Sequence, residues 1–268
     1  MDQSATVYGL KTLKVQGFKV STPLFIALGA VVGAVLGSTA SALAYRLPVG
    51  MNVAFARSEC PSCHGKIAAY DNIPILSYLL LKGRCRSCHE RISVSYIALE
   101  SSMSLLYATL LPLYRFGYVQ IGIYLAVFIA VTGAVVDLKI RRIPNKLTYV
   151  GLLGELVLVL GRSIRSHSLA PLEHALLALI IFGGFLFVVA IATKGMGLGD
   201  AKLMGVISLA LSSFGLYFIF YVFLGSFALA SVVGISLIVS GRASRKSAIP
   251  FGPFITLSFL LALFIPKL

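Results

Sequence analysis

Charged side chains are scarce in this sequence: 12% of its 268 residues are charged and 58% are hydrophobic. Soluble globular domains carry about a quarter charged residues, so an ordinary water-soluble enzyme is excluded. Intrinsic disorder is excluded as well, because disordered chains have low hydrophobicity. Several apolar stretches reach the roughly 20 residues that a membrane-spanning helix needs. The sequence therefore predicts an all-α polytopic membrane protein.

Acidic residues are the scarcer charged group, with nine Asp and Glu against 23 Lys and Arg and a net charge of +14. Such an excess can indicate a nucleic-acid-binding protein, but in a membrane protein basic residues concentrate in cytoplasmic loops. Eight apolar runs alternate with polar loops, and sixteen of the 23 basic residues fall in the four loops on one side. We therefore expect about eight transmembrane helices, both termini outside, and no nucleic-acid partner.

Polar stretches divide the chain into four predicted parts. They are an N-terminal segment, 1–21, a first transmembrane helix, 22–44, a small cytoplasmic loop domain, 45–92, and a seven-helix membrane core, 93–268. Glycines recur every four residues in the first helix, a spacing typical of close helix packing. Small residues at 38–42 also resemble a signal-peptidase site, but the positive charges after the run outnumber those before it, which opposes export.

All four cysteines lie in the polar loop domain, in two C-x-x-C pairs. The pairs are Cys60 with Cys63 and Cys85 with Cys88, separated by 21 residues. Four thiolates on two such knuckles suit a structural zinc ion with a full tetrahedral coordination sphere. Disulfides or a redox pair are the alternative, and they would need an oxidising compartment. The expected cytoplasmic placement of the loop favours zinc.

Two aspartates stand at predicted membrane edges. Asp137 ends the third apolar run, and Asp200 follows Gly195, Gly197 and Gly199 just before the short sixth run. The expected topology places both carboxyl groups at the cytoplasmic face. Two carboxyl groups in one site can hold a water, one as general base and the other as general acid. Asp200 could instead cap a helix, and Asp137 could pair with a nearby basic residue, but the glycines favour a site that admits an extended peptide.

Two further acids lie within predicted spans. Glu100 is about two turns into the second helix, and Glu155 lies within the fourth. Intramembrane acids are candidates for function by default. The sequence shows no partner for either residue, so neither receives a role.

Several short motifs follow one another over residues 32–265, and their order and spacing together are far more specific than any single motif. They are Tyr45-Arg46-Leu47-Pro48, Cys60-Pro61-Ser62-Cys63, Tyr70-Asp71-Asn72-Ile73-Pro74, Leu76-Ser77-Tyr78, Gly83-Arg84-Cys85, Asp137, Ile143-Pro144-Asn145, Gly197-Leu198-Gly199-Asp200-Ala201-Lys202-Leu203 and Ile249-Pro250-Phe251-Gly252-Pro253. Taken together, they resemble those of the type IV prepilin peptidases, bifunctional leader peptidases and N-methyltransferases of bacteria.

The resemblance implies a GxGD-type intramembrane aspartyl protease in the bacterial cytoplasmic (inner) membrane, with its active site facing the cytoplasm. Such enzymes cleave the basic leader of type IV prepilins or pseudopilins after a glycine. They then methylate the new N-terminus, with S-adenosylmethionine as methyl donor. Asp137 and Asp200 match the catalytic pair, and Gly197, Gly199 and Lys202 match the supporting loop.

The loop domain carries the methyltransferase part of the resemblance. Its four cysteines match the zinc loop of methylating members, and Gly83 matches a glycine linked to methylation. No Gly-rich dinucleotide fingerprint is present, so S-adenosylmethionine would have to bind in another way. Ser41 stands where the family usually has Asn, and Tyr96-Ile97 stands for Tyr-Pro.

Two alternatives remain at this stage. The first is a prepilin peptidase with a structural zinc loop and no methyl transfer. The second is a transporter or assembly scaffold, although such folds often show two similar halves and no internal repeat is visible here. The sequence leaves the oligomeric state open.

Overall fold

A computed structural model describes residues 22–51, 58–114, 116–193, 196–242, 244 and 249–265. Within these ranges the regular structure is helical, and β pairing is limited to two isolated bridges in the loop domain. The helices are α1 (Thr22–Arg46), α2 (Leu76–Leu80), α3 (Val94–Tyr114), α4 (Tyr118–Ile140), α5 (Asn145–Ser166), α6 (Ala170–Ala178), α7 (Phe185–Thr193), α8 (Leu198–Leu211), α9 (Leu216–Val239) and α10 (Gly252–Leu263). The expected all-α architecture is confirmed.

Eight apolar helical segments occur in the described ranges, since α6 and α7 are joined by the π-helical turn Leu179–Gly184 into one segment. Six of the eight are long and apolar enough to cross a membrane: α1, α3, α4, α5, the α6–α7 segment and α9. The shorter ones are α8 and α10. As expected, the 203–240 run breaks at Ser212–Phe214, where Gly215 has a φ of 92°. The N-terminal segment, 1–21, lies outside the described residues.

The glycine stripe of α1 packs against α3, as its spacing predicts. Gly29, Gly33 and Gly37 are all buried, and a Cβ on any of them would collide with the α3 backbone. At Gly37 that Cβ would lie 2.6 Å from the Cα of Glu100. Small residues let two backbones approach this closely, so α1 and α3 form a tight pair beside the rest of the bundle.

Helix α8 lies at the centre of the bundle. All of its residues from 203 to 211 are buried, and it packs against α4, α5, α7 and α10. This enclosure explains an apolar helix of only 14 residues, because a helix surrounded by protein need not match the bilayer thickness as a lipid-exposed one does.

The course of the chain brings the end of α4 and the starts of α5 and α8 to one side of the bundle. Helix α4 ends at Ile140 and α5 begins at Asn145, so the two are antiparallel neighbours. After α5 and the returning α6–α7 segment, α8 starts on the side where α4 ended. The loop between α1 and α3 emerges on this side too. The division of the chain into four parts remains a prediction.

Candidate active site and metal centre

Asp137 lies in the last turn of α4, only 3% exposed. Its Oδ2 accepts a hydrogen bond of 3.0 Å from the backbone N–H of Gly252, the first residue of α10. A Cβ on Gly252 would lie 3.0 Å from this same oxygen. The glycine therefore lets the start of α10 approach the carboxyl group and donate to it.

Asp200 lies in the first turn of α8, 6% exposed, and its Oδ1 is buried with no hydrogen-bond partner among the described residues. The carboxyl groups of Asp137 and Asp200 are close enough to interact electrostatically. The structure thus brings together two acids that are 63 positions apart in sequence. A buried carboxyl oxygen without a donor is unusual in proteins and is available to a water or a substrate group.

Ile143 joins the two aspartate-bearing helices. It is buried in the link between α4 and α5. A Cβ added to Gly199 would lie 2.8 Å from the Ile143 side chain, and one added to Gly252 would lie 2.9 Å from it. One side chain therefore fixes the start of α8 and the start of α10 against the end of α4. Sequence reasoning missed the roles of Ile143 and Gly252, although the Ile-Pro-Asn and Pro-Phe-Gly-Pro motifs that contain them were visible.

The glycines before Asp200 have ordinary backbone conformations where the structure describes them. Gly197 has a φ of −72°, and Gly199 lies within α8. Their use is close approach: a Cβ on Gly197 would lie 3.2 Å from Asp200 Oδ2. Gly195 lies outside the described residues. The capping alternative for Asp200 is wrong, because the N-cap of α8 is Gly197 and no side chain caps it.

Lys202 holds α8 to α5 through hydrogen bonds to two α5 side chains. Its Nζ donates to Asn145 Oδ1 at 2.8 Å and to Tyr149 Oη at 3.2 Å. The ammonium also lies 4.6 Å from the centre of the Tyr149 ring, a cation–π distance. These contacts join the N-terminal turns of α5 and α8, which lie beside the two aspartates.

The four cysteines form a cluster on the loop between α1 and α3. Their Sγ atoms all lie within 4.8 Å of one another, and the Sγ atoms of Cys60 and Cys88 are 3.8 Å apart. Tetrahedral zinc with Zn–S bonds of about 2.3 Å places its sulfurs about 3.8 Å apart. All four cysteines are free, so the disulfide alternative is not what the structure shows. The cluster has the donor set and spacing of a metal site.

The two knuckles have the same backbone design. The backbone N–H of Cys60 donates to the carbonyl of Gly65, and that of Cys85 donates to the carbonyl of Glu90. In return, the N–H of His64 donates to the Cys60 carbonyl and the N–H of His89 to the Cys85 carbonyl. Backbone N–H groups of Cys63 and Ser62 donate to the Cys60 sulfur and lower the pKa of its thiol to about 6. This favours the thiolate, which is the form that binds metal.

His64 and His89 are exposed and have φ values of 54° and 58°. Each stands at the left-handed turn that closes its knuckle, and neither belongs to the sulfur cluster. They are loop residues, as expected.

Gly83 is buried before the second knuckle, with a φ of 68°. A Cβ there would lie 2.9 Å from Cζ and Oη of Tyr78. The carbonyl of Gly83 also accepts the N–H of Ile92 at 2.8 Å. Only glycine satisfies both the left-handed backbone and the ring contact, so Gly83 fixes Tyr78 against the knuckle.

A cavity of about 550 Å³ lies between the loop domain and the adjoining ends of α1 and α3. Glu100 lines it, 8% exposed, and its Oε2 accepts the N–H of Ile75 at 2.7 Å. Ile75 has a φ of 63°, which is a rare conformation for a β-branched residue. Glu100 thus anchors a strained turn of the loop to a membrane helix.

A salt bridge in the loop domain lines the same cavity. Arg86 donates to both oxygens of Asp71, at 2.6 and 2.8 Å, and its guanidinium lies 5.4 Å from the centre of the Tyr70 ring. The hydrogen bond from Arg86 lowers the pKa of Asp71 below its usual value. The pair orients the Tyr70 ring on the cavity wall.

Glu155 is not part of either site. It is 1% exposed within α5, and its Oε1 is buried and has no hydrogen-bond partner in the described part of the chain. Its carboxyl group instead lies against Gly122 of α4, where an added Cβ would be 2.7 Å from Oε2.

Comparison with known proteins explains this combination of features. Residues 31–114 match a family model described as the bacterial peptidase A24 N-terminal domain, and residues 123–235 match the type IV leader peptidase family. A prepilin leader peptidase/N-methyltransferase of Bacillus subtilis is 31% identical over 241 residues, which cover 86% of this chain and 90% of that protein. The chain belongs to the type IV leader peptidase family.

Other members of the family support the assignment over nearly the full length. The protein of the same description from Vibrio cholerae is 32% identical over 266 residues, covering 90% of this chain and 97% of that protein. The one from Neisseria gonorrhoeae is 26% identical over 273 residues. No solved structure is significantly similar. The aspartates and the cysteine cluster both fall within the two matched segments.

Proposed function

We propose that this protein cleaves the basic leader of type IV prepilins or pseudopilins after a glycine and then N-methylates the new N-terminus. The observation that carries the proposal is the buried pair Asp137 and Asp200, whose helix ends meet around Ile143 at one end of the bundle. Family membership and the descriptions of its relatives support both activities.

The two carboxyl groups differ in their surroundings, and the difference suggests their roles. Asp137 accepts a backbone N–H, which stabilises a carboxylate, so it is suited to be the general base. One oxygen of Asp200, Oδ1, is buried with no donor among the residues that the structure describes, which suits Asp200 to hold the shared proton as general acid. Like charges this close do not both ionise easily.

Hydrolysis then proceeds in two steps, each with two proton transfers. Asp137 takes a proton from a water as the water oxygen bonds to the scissile carbonyl carbon, and Asp200 gives its proton to the carbonyl oxygen. When the tetrahedral intermediate collapses, the C–N bond breaks and the proton on Asp137 goes to the leaving amine. The intermediate's hydroxyl proton returns to Asp200, which restores the pair.

Zinc is the metal that the cysteine cluster fits best. Cys60, Cys63, Cys85 and Cys88 would fill its coordination sphere, leaving no open position for substrate. The ion would therefore be structural and would hold the two knuckles together above the ends of α1 and α3.

The substrate and the membrane set the orientation. We place this multi-pass protein in the bacterial inner membrane, with the Asp137–Asp200 pair and the cysteine loop facing the cytoplasm, because the basic loops lie at that end. A basic leader would remain in the cytoplasm while the apolar helix of the prepilin lies in the bilayer.

S-Adenosylmethionine, when bound, supplies a methyl group on a sulfonium, whose C–S bond breaks as the neutral amine of the cleaved substrate forms the new N–C bond. The protein's part is to align the two groups. The loop domain, braced by the cysteine cluster and Gly83, is suited to this positioning. Ser41, which stands where the family usually has Asn, is buried in α1, and its Oγ has no hydrogen-bond partner within the described ranges.

Co-expression of the protein with a prepilin tests the peptidase. Asp137→Asn and Asp200→Asn should each lower leader cleavage by a factor of about 10³ or more, since removing one member of a catalytic unit removes most of the rate. Asp2→Asn, the same change in the N-terminal segment, should leave cleavage unchanged. Normal cleavage in both site variants, with membrane insertion confirmed, would sink the proposal.

Mass spectrometry of the cleaved substrate tests the second activity. An N-terminal mass increase of one methyl group supports the bifunctional enzyme. Cleaved but unmethylated product supports the alternative, a peptidase with a structural zinc loop, to which the Ser41 substitution lends some weight.

A further inference from the structure

The cavity between the loop domain and the ends of α1 and α3 is the larger of the two cavities that stand out in the described part of the chain. Its volume, about 550 Å³, lies within the range of about 300–1,000 Å³ that is usual for small-molecule sites. The Asp137–Asp200 pair does not line it, so the peptidase mechanism leaves this cavity without a use.

The floor of the cavity is made by two packed helices. Ser38, Ala42 and Tyr45 of α1 line it and recur every three or four residues, so they share one helix face. Tyr96 and Glu100 of α3 do the same. Because the α1–α3 pair is held by glycine-to-backbone contacts, this floor is rigid.

The loop domain forms the wall opposite the two helices. Tyr70 and Tyr78 line this wall. The ring of Tyr70 is held by the Arg86 guanidinium, and that of Tyr78 is in contact with Gly83. Four tyrosines therefore line the space together with the Glu100 carboxyl group, and the loop domain adds both acidic and basic side chains to the wall. Aromatic faces and a carboxylate together suit a ligand that carries both a flat ring and a positive charge.

We propose that this cavity binds S-adenosylmethionine, with the purine among the tyrosines and the cationic methionine end facing Glu100. The inference rests on the proposed methyl transfer. It gives Glu100 a positioning role, since its Oε2 holds the turn at Ile75 while the carboxyl group as a whole supplies negative charge to the ligand. It also gives Gly83 its connection to methylation, because the ring that it fixes, Tyr78, lines the site.

Direct binding tests the assignment without any turnover. Purified full-length protein in detergent is titrated with tritiated S-adenosylmethionine in the absence of prepilin. Ala42→Phe, which fills the cavity from its floor, should lower affinity by about tenfold or more, and Glu100→Gln, which removes the charge, by about tenfold. The matched controls are Val35→Phe, on an exposed position of α1, and Glu173→Gln, an exposed acid on α6, and both should bind as the wild type does.

Photolabelling of the wild type covers the case in which a variant fails to fold. The 8-azido analogue of S-adenosylmethionine should attach within residues 38–46 or 58–100, as mapped by peptide mass spectrometry. Labelling confined to other helices, or wild-type affinity in a correctly folded Ala42→Phe, overturns the inference. If the wild type still cleaves and methylates a prepilin in that case, the proposed function stands and only the location of the methyl donor is wrong.

Discussion

Gly252 is the residue on which the geometry of Asp137 depends most directly. Its backbone N–H donates to the carboxyl group, and a Cβ there would lie 2.9 Å from Ile143 and 3.0 Å from Asp137 Oδ2. Gly252→Ala should therefore displace both side chains. We expect leader cleavage to fall by about tenfold to a hundredfold, because a shift of about 1 Å in a catalytic group can have an effect of this size.

The matched control for Gly252→Ala is Gly184→Ala. A Cβ on Gly184 would have its nearest neighbour at 4.0 Å, an ordinary contact. Initial rates of leader cleavage by the two purified variants, compared at equal folded concentration, decide the matter. A Gly252→Ala rate within a factor of about two of wild type would contradict the geometric argument, since that change is smaller than the effect of any real displacement.

The proposed catalytic residues were easier to single out from the sequence than the residues that surround them. Asp137 and Asp200 could be singled out because acids are rare here and both stand at the ends of apolar runs. Their neighbours, Ile143 and Gly252, are an ordinary apolar residue and one glycine among 25. Their role depends on three chain segments meeting in space, and helical periodicity alone carries no information about that meeting.

Among structural elements, the turn before the second knuckle offers a controlled test of backbone strain. Gly83 and Gly50 have nearly the same φ, 68° and 70°. A Cβ on Gly83 would collide with Tyr78, whereas one on Gly50 would meet no described atom within 4 Å. Alanine at either position forces a left-handed residue, at about 1–2 kcal/mol. We expect Gly83→Ala to reduce methylation by about tenfold or more, and Gly50→Ala to have a much smaller effect.

Methyl transfer to an already cleaved substrate is the measurement for this pair of variants, since it separates methylation from proteolysis. Equal loss in the two alanine variants would show that the left-handed backbone alone matters. The Tyr78 contact would then have no part in the role of Gly83.

The cysteine knuckles form an element that a metal should hold together. Metal analysis of the purified protein should find about one zinc per chain, and Cys63→Ser or Cys88→Ser should remove most of it. Because the loop has little apolar core of its own, a strong chelator should expose it to proteolysis between residues 58 and 93. Ser62→Ala, a change between two ligands, should retain the metal. Full zinc content in both cysteine variants would contradict the four-cysteine site.

At the scale of the whole molecule, composition and hydropathy predicted the number and order of the apolar helices. The break at Ser212–Phe214 and the short α8 were visible because serine and glycine interrupt a run that is too long for one helix. The burial of α8 at the centre was not visible, since a helix that is apolar on all sides can face lipid or protein. Which helices surround it depends on tertiary packing between segments far apart in sequence.

Orientation is the property of the whole molecule that charge predicts and packing does not. The link between α4 and α5 adjoins the two aspartates and carries Arg141 and Arg142. Ser168 lies in the link between α5 and α6, at the opposite end of the bundle. Alkaline phosphatase, which needs the oxidising periplasm, should be active when fused after Ser168 and inactive when fused after Arg142. A fluorescent protein that folds in the cytoplasm should show the reverse pattern. Active phosphatase at Arg142 would place the dyad outside, where it could not meet a basic leader that the positive-inside bias retains in the cytoplasm.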